Sequence, residues 1–261
     1  MGAATGHETI GAAIRVARAR GGPALVAYLT AGFPRKEQFA ADVQRVAAAA
    51  DVLEIGVPFT DPMADGMTIQ RASHAALAQG VSLRWILAEL AALAPRPRAP
   101  LLLMSYLNPL LAIGLDRLPE AARSAGVSGF IVPDLPYEES AELKNALASA
   151  GVGLVQMVTP VTPPARLAML CAAGQGFIYA VTMTGTTGKS VAVPEEVLRY
   201  LSGLRALASV PVCAGFGIRN REQVARLDGH VDGVVVGSAL VEVLERGGDP
   251  VAFLEGLRIA R

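Results

Sequence analysis

Cysteine is nearly missing from this chain of 261 residues: only Cys171 and Cys213 occur, and neither belongs to a CxxC pair. That excludes a disulfide framework and suits a reducing compartment. Charge is scarce and balanced, with 23 Lys plus Arg against 23 Asp plus Glu and 18% charged residues in all. No basic excess or stripe is present to meet the phosphates of a nucleic acid. The three histidines, His7, His74 and His230, are scattered without metal-ligand spacing. The opening residues, MGAATGHETIGAAIRVARAR, lack the apolar core of a secretory signal. Two charge-free stretches are long enough to span a bilayer, from Lys144 to Arg166 and from Arg166 to Lys189. The first contains Gly151, Gly153, Pro160, Pro163 and Pro164, and the second four glycines and four threonines, unlike the ~20 predominantly apolar residues of a membrane helix. A soluble, cytoplasmic protein is expected, with neither nucleic acid nor membrane as a partner.

What the chain does have is apolar residues, 52% of the total, enough to bury a large core. They fall into short runs: ALVAYLT (24–30), DVLEIGV (51–57), LLLM (101–104), GFIV (129–132), GLVQMV (153–158), FIYAV (177–181), VPVCA (210–214) and GVVV (233–236). Most are followed by a stretch with helical periodicity, such as 36–50, 140–150, 195–208 and 221–227. Unbroken apolar runs suit strands covered on both faces by helices. Eight such units in a chain of about 250 residues predict a single (β/α)8 TIM barrel over residues 1–261, since no linker or shift in composition divides the chain. A doubly wound open sheet is the competing arrangement. Two additions are expected: a leading helix over 8–20, capping the lower end of the barrel with Ile10, Ile14 and Ala17, and an extra helix after the second strand, where 68–94 splits into two at Gly80.

Barrel enzymes place their chemistry at the C-terminal ends of the strands. There the second run continues into LEIGVPFTDPMADGMTIQ (53–70), with Glu54, Asp61 and Asp65. Glu54 lies inside a strand and alternates away from Leu53 and Ile55, so it points into the barrel. Two readings stand: a structural carboxylate paired with a buried donor, or a general acid/base whose pKa burial has raised. Asp61 and Asp65 could instead cap turns, and Asp65 could cap the helix that starts near Thr68. A second cluster lies at three neighbouring strand ends: TGTTGKS (184–190), GFG (215–217) and GSA (237–239). Glycines there admit a ligand to the backbone N–H groups, and the helix opening at Ser238 favours an anion such as phosphate. Gly188-Lys189-Ser190 is not the end of a P-loop, because Met183 stands where that motif needs glycine.

The segment LEIGVPFTDPMADGMTIQRASHAAL (53–77) resembles the signature of the tryptophan synthase alpha subunit family. Similar matches follow in the family's order: AYLTAGFP (27–34), MSYLNP (104–109), PDLPYEES (133–140), the loop around TGTTG (184–188), GFGI (215–218) and VGSALV (236–241). The resemblance implies an aldolase-type lyase of tryptophan biosynthesis that splits indole-3-glycerol phosphate into indole and glyceraldehyde 3-phosphate without metal or organic cofactor. It assigns general acid/base catalysis to Glu54, the indole N–H to Asp65, and an active-site role to Tyr179. It assigns phosphate binding to Gly188, Gly217, Gly237 and Ser238, loop closure onto the aspartate to Thr187, and a wall of the indole pocket to Tyr28. It further implies a pyridoxal-phosphate-dependent beta subunit in a heterotetramer of two alpha and two beta chains, contacted through Asp61, Asn108 and Pro136. Met67 departs from the family's usual proline, and Met183 and Thr184 precede the glycines of a loop that varies in the family. Two alternatives remain open here: a stand-alone lyase that releases free indole, and a catalytically weak allosteric partner of the beta subunit.

Overall fold

A computed structural model describes residues 5–182, 193–215 and 217–259. Runs that are apolar at successive positions can satisfy both faces only inside a layered structure, and among the described residues they form nine parallel strands. These are β1 (Ala24–Thr30), β2 (Val52–Gly56), β3 (Leu101–Met104), β4 (Val127–Ile131), β5 (Gly153–Leu154), β6 (Gln156–Val158), β7 (Ile178–Val181), β8 (Val212–Gly215) and β9 (Gly233–Val236). Their order is β5-β4-β3-β2-β1-β9-β8-β7-β6. The two outermost strands are separated in sequence by Val155 alone, whose N–H donates to the carbonyl of Phe130 at 2.9 Å. The sheet therefore curls into a nearly closed TIM barrel, and the single run expected at 153–158 divides so that its first half pairs with β4 and its second with β7.

Alternation along the strands produces two cores. One face of each strand packs outward against the surrounding helices, with Leu25, Leu29, Leu53, Ile55, Leu103 and Phe130 among the buried residues. The other face fills the barrel with Ala24, Val26, Val52, Leu102, Ile131, Val155, Phe177, Cys213 and Val235. Into the lower end of this inner core the leading helix, Gly6–Ala19, inserts Ile10, Ile14 and Ala17. It starts two residues before the expected position because Thr5 and Glu8 form a capping box, with the Thr5 N–H donating to Glu8 Oε2 at 2.7 Å. Its first residue must be glycine: a Cβ on Gly6 would lie 2.3 Å from the carbonyl oxygen of Ser128.

The extra helix after β2 is also present, as Met67–Ala78 and Leu83–Ala92, broken at Gly80 with φ +75°. Met67 opens the first of these and is exposed, so the helix begins without the proline usual in the family. A short helix at Leu107–Ile113, after β3, was not expected from periodicity. Among the described residues no helix is long and apolar enough to cross a membrane.

Ile14 is fully buried where the leading helix closes the barrel floor. Ile14→Ala should cost about 3 kcal/mol and lower the thermal midpoint by several degrees; an unchanged midpoint would show that the helix does not seal the barrel.

Candidate active site

The strand register sets Glu54 of β2 between Tyr28 of β1 and Leu102 of β3. Its side chain is fully buried, and neither carboxylate oxygen has a hydrogen-bond partner among the described residues. The structural reading of Glu54 required a buried donor, and none of the described residues provides one. Desolvation pushes its pKa up to about 8, and the negative charge of Asp65 adds to the shift. At neutral pH this carboxyl carries its proton, which avoids the cost of an unpaired buried charge.

Asp65 is no helix cap. The residue that caps Met67–Ala78 is Gly66, in extended conformation and without a side-chain hydrogen bond. The backbone of 61–65 is turned instead, with Met63 N–H on the Asp61 carbonyl at 2.9 Å and Asp65 N–H on the Pro62 carbonyl at 3.1 Å. The Asp65 carboxylate accepts the Tyr106 hydroxyl at 3.1 Å. Burial raises its pKa to about 6, and the Tyr106 hydrogen bond opposes the rise. The two carboxyl groups are thus tuned apart, one mostly protonated and one mostly ionised at pH 7.

Aromatic rings line this space. Tyr28 is buried, its hydroxyl 3.3 Å from Thr30 Oγ1 and lying over Gly56, where a Cβ would sit 2.0 Å from that hydroxyl. Tyr179, opposite Met157 and Cys213, lies against Gly215 in the same way, where a Cβ would sit 2.9 Å from its hydroxyl. Burial raises both phenol pKa values and keeps both groups neutral; among the charges, Asp65 contributes most at Tyr28 and Glu54 most at Tyr179. Tyr106 is the residue that sequence reasoning passed over. Its hydroxyl accepts the Ala64 N–H at 2.8 Å, and its ring stacks on Phe59 at 5.0 Å between centroids. An aromatic residue just past the end of the strand at 101–104, inside MSYLNP, was the available signal.

The adjacent strands β8 and β9 bring the glycine corner together. Gly217 has φ +65°, which favours glycine, and a Cβ there would meet nothing within 4 Å. Gly237 precedes the helix Ser238–Glu245, whose first N–H groups have no helical acceptor. Tyr28 reaches this corner too, its Cβ 3.9 Å from where a Cβ on Gly237 would lie. Gly188 and Thr187 lie outside the described residues. Asp61, Asn108 and Pro136 are all exposed, in the segments that follow β2, β3 and β4. Asp61 accepts the Thr60 hydroxyl at 2.6 Å. No group of three or more His, Cys, Asp or Glu among the described residues is placed to hold a metal ion.

Comparison with known proteins shows the family and the fold. The family model described as tryptophan synthase alpha chain matches residues 14–253. The tryptophan synthase alpha chain of Nitratidesulfovibrio vulgaris strain DP4 is 45% identical over 243 residues, covering 93% of this chain and 95% of the relative. That of Carboxydothermus hydrogenoformans is 44% identical, covering 90% and 89%. Among solved structures, tryptophan synthase subunit alpha from Legionella pneumophila strain Paris superposes with a TM-score of 0.85 at 31% identity, covering 95% of this chain and 96% of that one. A tryptophan synthase chain from M. tuberculosis, in an aminoacrylate-bound form, gives 0.84 at 32% identity and covers 95% and 97%.

The raised pKa of Glu54 makes stability depend on pH. Its unfolded value is 4.5 and its folded value about 8, so its contribution is full below 4.5 and is lost as pH rises through about 8. The melting temperature of Glu54→Gln relative to wild type should therefore climb by several degrees between roughly pH 5 and pH 9. A difference that stays flat with pH would contradict a protonated Glu54.

Proposed function

The chain belongs to the tryptophan synthase alpha chain family, lyases of tryptophan biosynthesis, and we propose that its site performs retro-aldol cleavage of indole-3-glycerol phosphate to indole and glyceraldehyde 3-phosphate, with Glu54 and Asp65 as the reacting pair. The observation that carries the assignment is the fully buried Glu54 carboxyl, without a hydrogen-bond partner among the described residues, whose pKa is raised by burial and by the charge of a second carboxyl, Asp65, with a lower pKa of its own.

The phosphate end of the substrate binds at the glycine corner, on N–H groups of Gly217, Gly237 and Ser238, with Gly188 of the 184–190 loop completing the cradle. The orientation gained there comes from a part of the substrate that does not react. The indole ring then lies among Tyr28, Tyr179 and the two carboxyl groups. Glu54, protonated at working pH, gives its proton to carbon 3 of the ring. Positive charge develops at the ring nitrogen, where the ionised Asp65 stabilises it through the N–H. Now ionised itself, Glu54 takes the proton of the neighbouring side-chain hydroxyl. The bond between ring and side chain breaks, its electron pair returns to the ring, and the hydroxyl carbon becomes the aldehyde. One group that gives and then takes a proton works best with a pKa close to the operating pH, and a value of about 8 suits that duty. Tyr106 orients Asp65, and Thr187 engages the same aspartate when the loop closes.

No step requires a metal or organic cofactor. Indole passes to a pyridoxal-phosphate-dependent beta subunit, which seats on the exposed rim at Asp61, Asn108 and Pro136 in a heterotetramer of two alpha and two beta chains. The whole chain works as one cytoplasmic domain.

Glu54→Gln and Asp65→Asn should each lower kcat by at least ~100-fold with the fold intact; a variant keeping more than about a tenth of the wild-type rate would overturn that residue's role. For wild type, kcat/KM should be bell-shaped, rising as Asp65 ionises near 6 and falling as Glu54 loses its proton near 8. Indole release measured with and without a beta subunit tests the partnership. Acceleration by the partner is expected, whereas fast release that the partner leaves unchanged would favour a stand-alone lyase.

A further inference from the structure

Glu242 lies one helical turn beyond Ser238, and its carboxylate is gripped from several directions. Arg219, two residues past Gly217, donates in a fork, Nη1 to Oε2 at 3.0 Å and Nη2 to Oε1 at 2.9 Å. The Thr68 hydroxyl donates to Oε1 at 3.5 Å, and Arg246 Nη2 stands 3.8 Å from Oε2. Thr68 belongs to the helix that starts immediately after Asp65 and Gly66. One carboxylate thus ties together the loop that carries Gly217, the helix that opens at Gly237, and the helix that follows Asp65. Arg71 and Glu245 form a second bridge between the same two helices.

Among the described residues, the other polar contacts of the Gly217 loop stay within its own segment. The Arg219 N–H donates to Gln223 Oε1 at 2.7 Å, and Asn220 caps the helix Arg221–Leu227 by accepting the Gln223 N–H at 2.9 Å. Among the described residues a Cβ at Gly217 would meet nothing within 4 Å; packing holds the loop through its neighbour Ile218, which is buried in the outer core, and leaves Gly217 itself without side-chain contacts. Among the described residues, the hydrogen-bonded contact that refers this loop to the helix after β9 is the Arg219–Glu242 fork.

We propose that Arg219 and Glu242 are positioning residues for the phosphate cradle, aligning the N–H groups beyond β8 with those at the start of the helix after β9. The proposal rests on the assignment of that corner to the substrate phosphate. The fork occupies the guanidinium, so Arg219 acts through geometry and leaves the anion to the backbone. Geometry and charge predict opposite signs here. Neutralising a carboxylate near an anion site should tighten phosphate binding on Coulomb grounds, as should freeing an arginine to become a phosphate ligand. Releasing a positioned loop should weaken it.

The test uses the full-length chain and its variants Glu242→Gln, Arg219→Gln and the double substitution, with Arg219→Lys as a milder change should either single variant fold poorly. Two readouts are needed: kcat and KM for indole-3-glycerol phosphate, and calorimetric affinity for glycerol 3-phosphate. Each single variant should raise KM and weaken glycerol 3-phosphate by about fivefold, the worth of a good partly exposed ion pair, with kcat within about twofold. The double variant should be no worse than either single one, and Arg219→Lys should fall in between. Unchanged or tighter binding in Glu242→Gln, with wild type active, would overturn the positioning role alone. A wild-type chain that neither cleaves the substrate nor binds glycerol 3-phosphate would remove the phosphate assignment and this proposal together.

Discussion

A carboxyl group inside an apolar barrel, with neither oxygen hydrogen-bonded among the described residues, is the constraint around which this molecule is arranged. Left ionised, Glu54 would bear a desolvation cost of several kcal/mol. The protein resolves the conflict by protonation, and the proton so retained is the one the proposed cleavage would use. Asp65 stands in the other regime: it too is pulled upward by burial, but the Tyr106 hydroxyl holds its value near 6. The separation between the two groups arises from ordinary environment, a dry strand interior against a hydrogen-bonded loop.

Such a site needs a rigid surround, because a carboxyl able to swing toward water would lose its tuning. Around and beneath Glu54 the inner core is continuous, with Val52, Leu102, Ile131 and Val235, and the leading helix seals it with Ile10 and Ile14. Above it, Gly56 and Gly215 lack side chains where the rings of Tyr28 and Tyr179 must lie. A methyl group at Gly56 would collide with the Tyr28 hydroxyl, so the wall of the pocket depends on these two absences. Functional groups are supplied by strand ends and following loops, while stability comes from the layers beneath them, the usual division in barrels of this class.

Much of this was legible in the residues. A charged residue within an apolar run marks Glu54 without any structure, and glycines at three neighbouring strand ends mark the corner proposed for the substrate phosphate. Other features were hidden for definite reasons. The division of the 153–158 strand at Val155 follows from its pairing with two different neighbours, and pairing leaves no local trace. Asp65 could also be read as a helix cap, and only the extended backbone of Gly66 decides against it. Tyr106 acquires its meaning from a partner 41 positions earlier, and Arg219 from one 23 positions later. The leading helix began early because a capping box reaches across the first turn, where apolar periodicity has nothing to report.

Everything proposed for this site turns on Glu54 being a neutral acid in the resting protein at neutral pH. Infrared difference spectroscopy of wild type against Glu54→Gln reads this directly, through the carbonyl stretch of a protonated carboxyl group. Such a band is expected at pH 7, absent from the variant and fading as pH rises through about 8. A wild-type spectrum with no protonated carboxyl assignable to Glu54 already at pH 6 would contradict it.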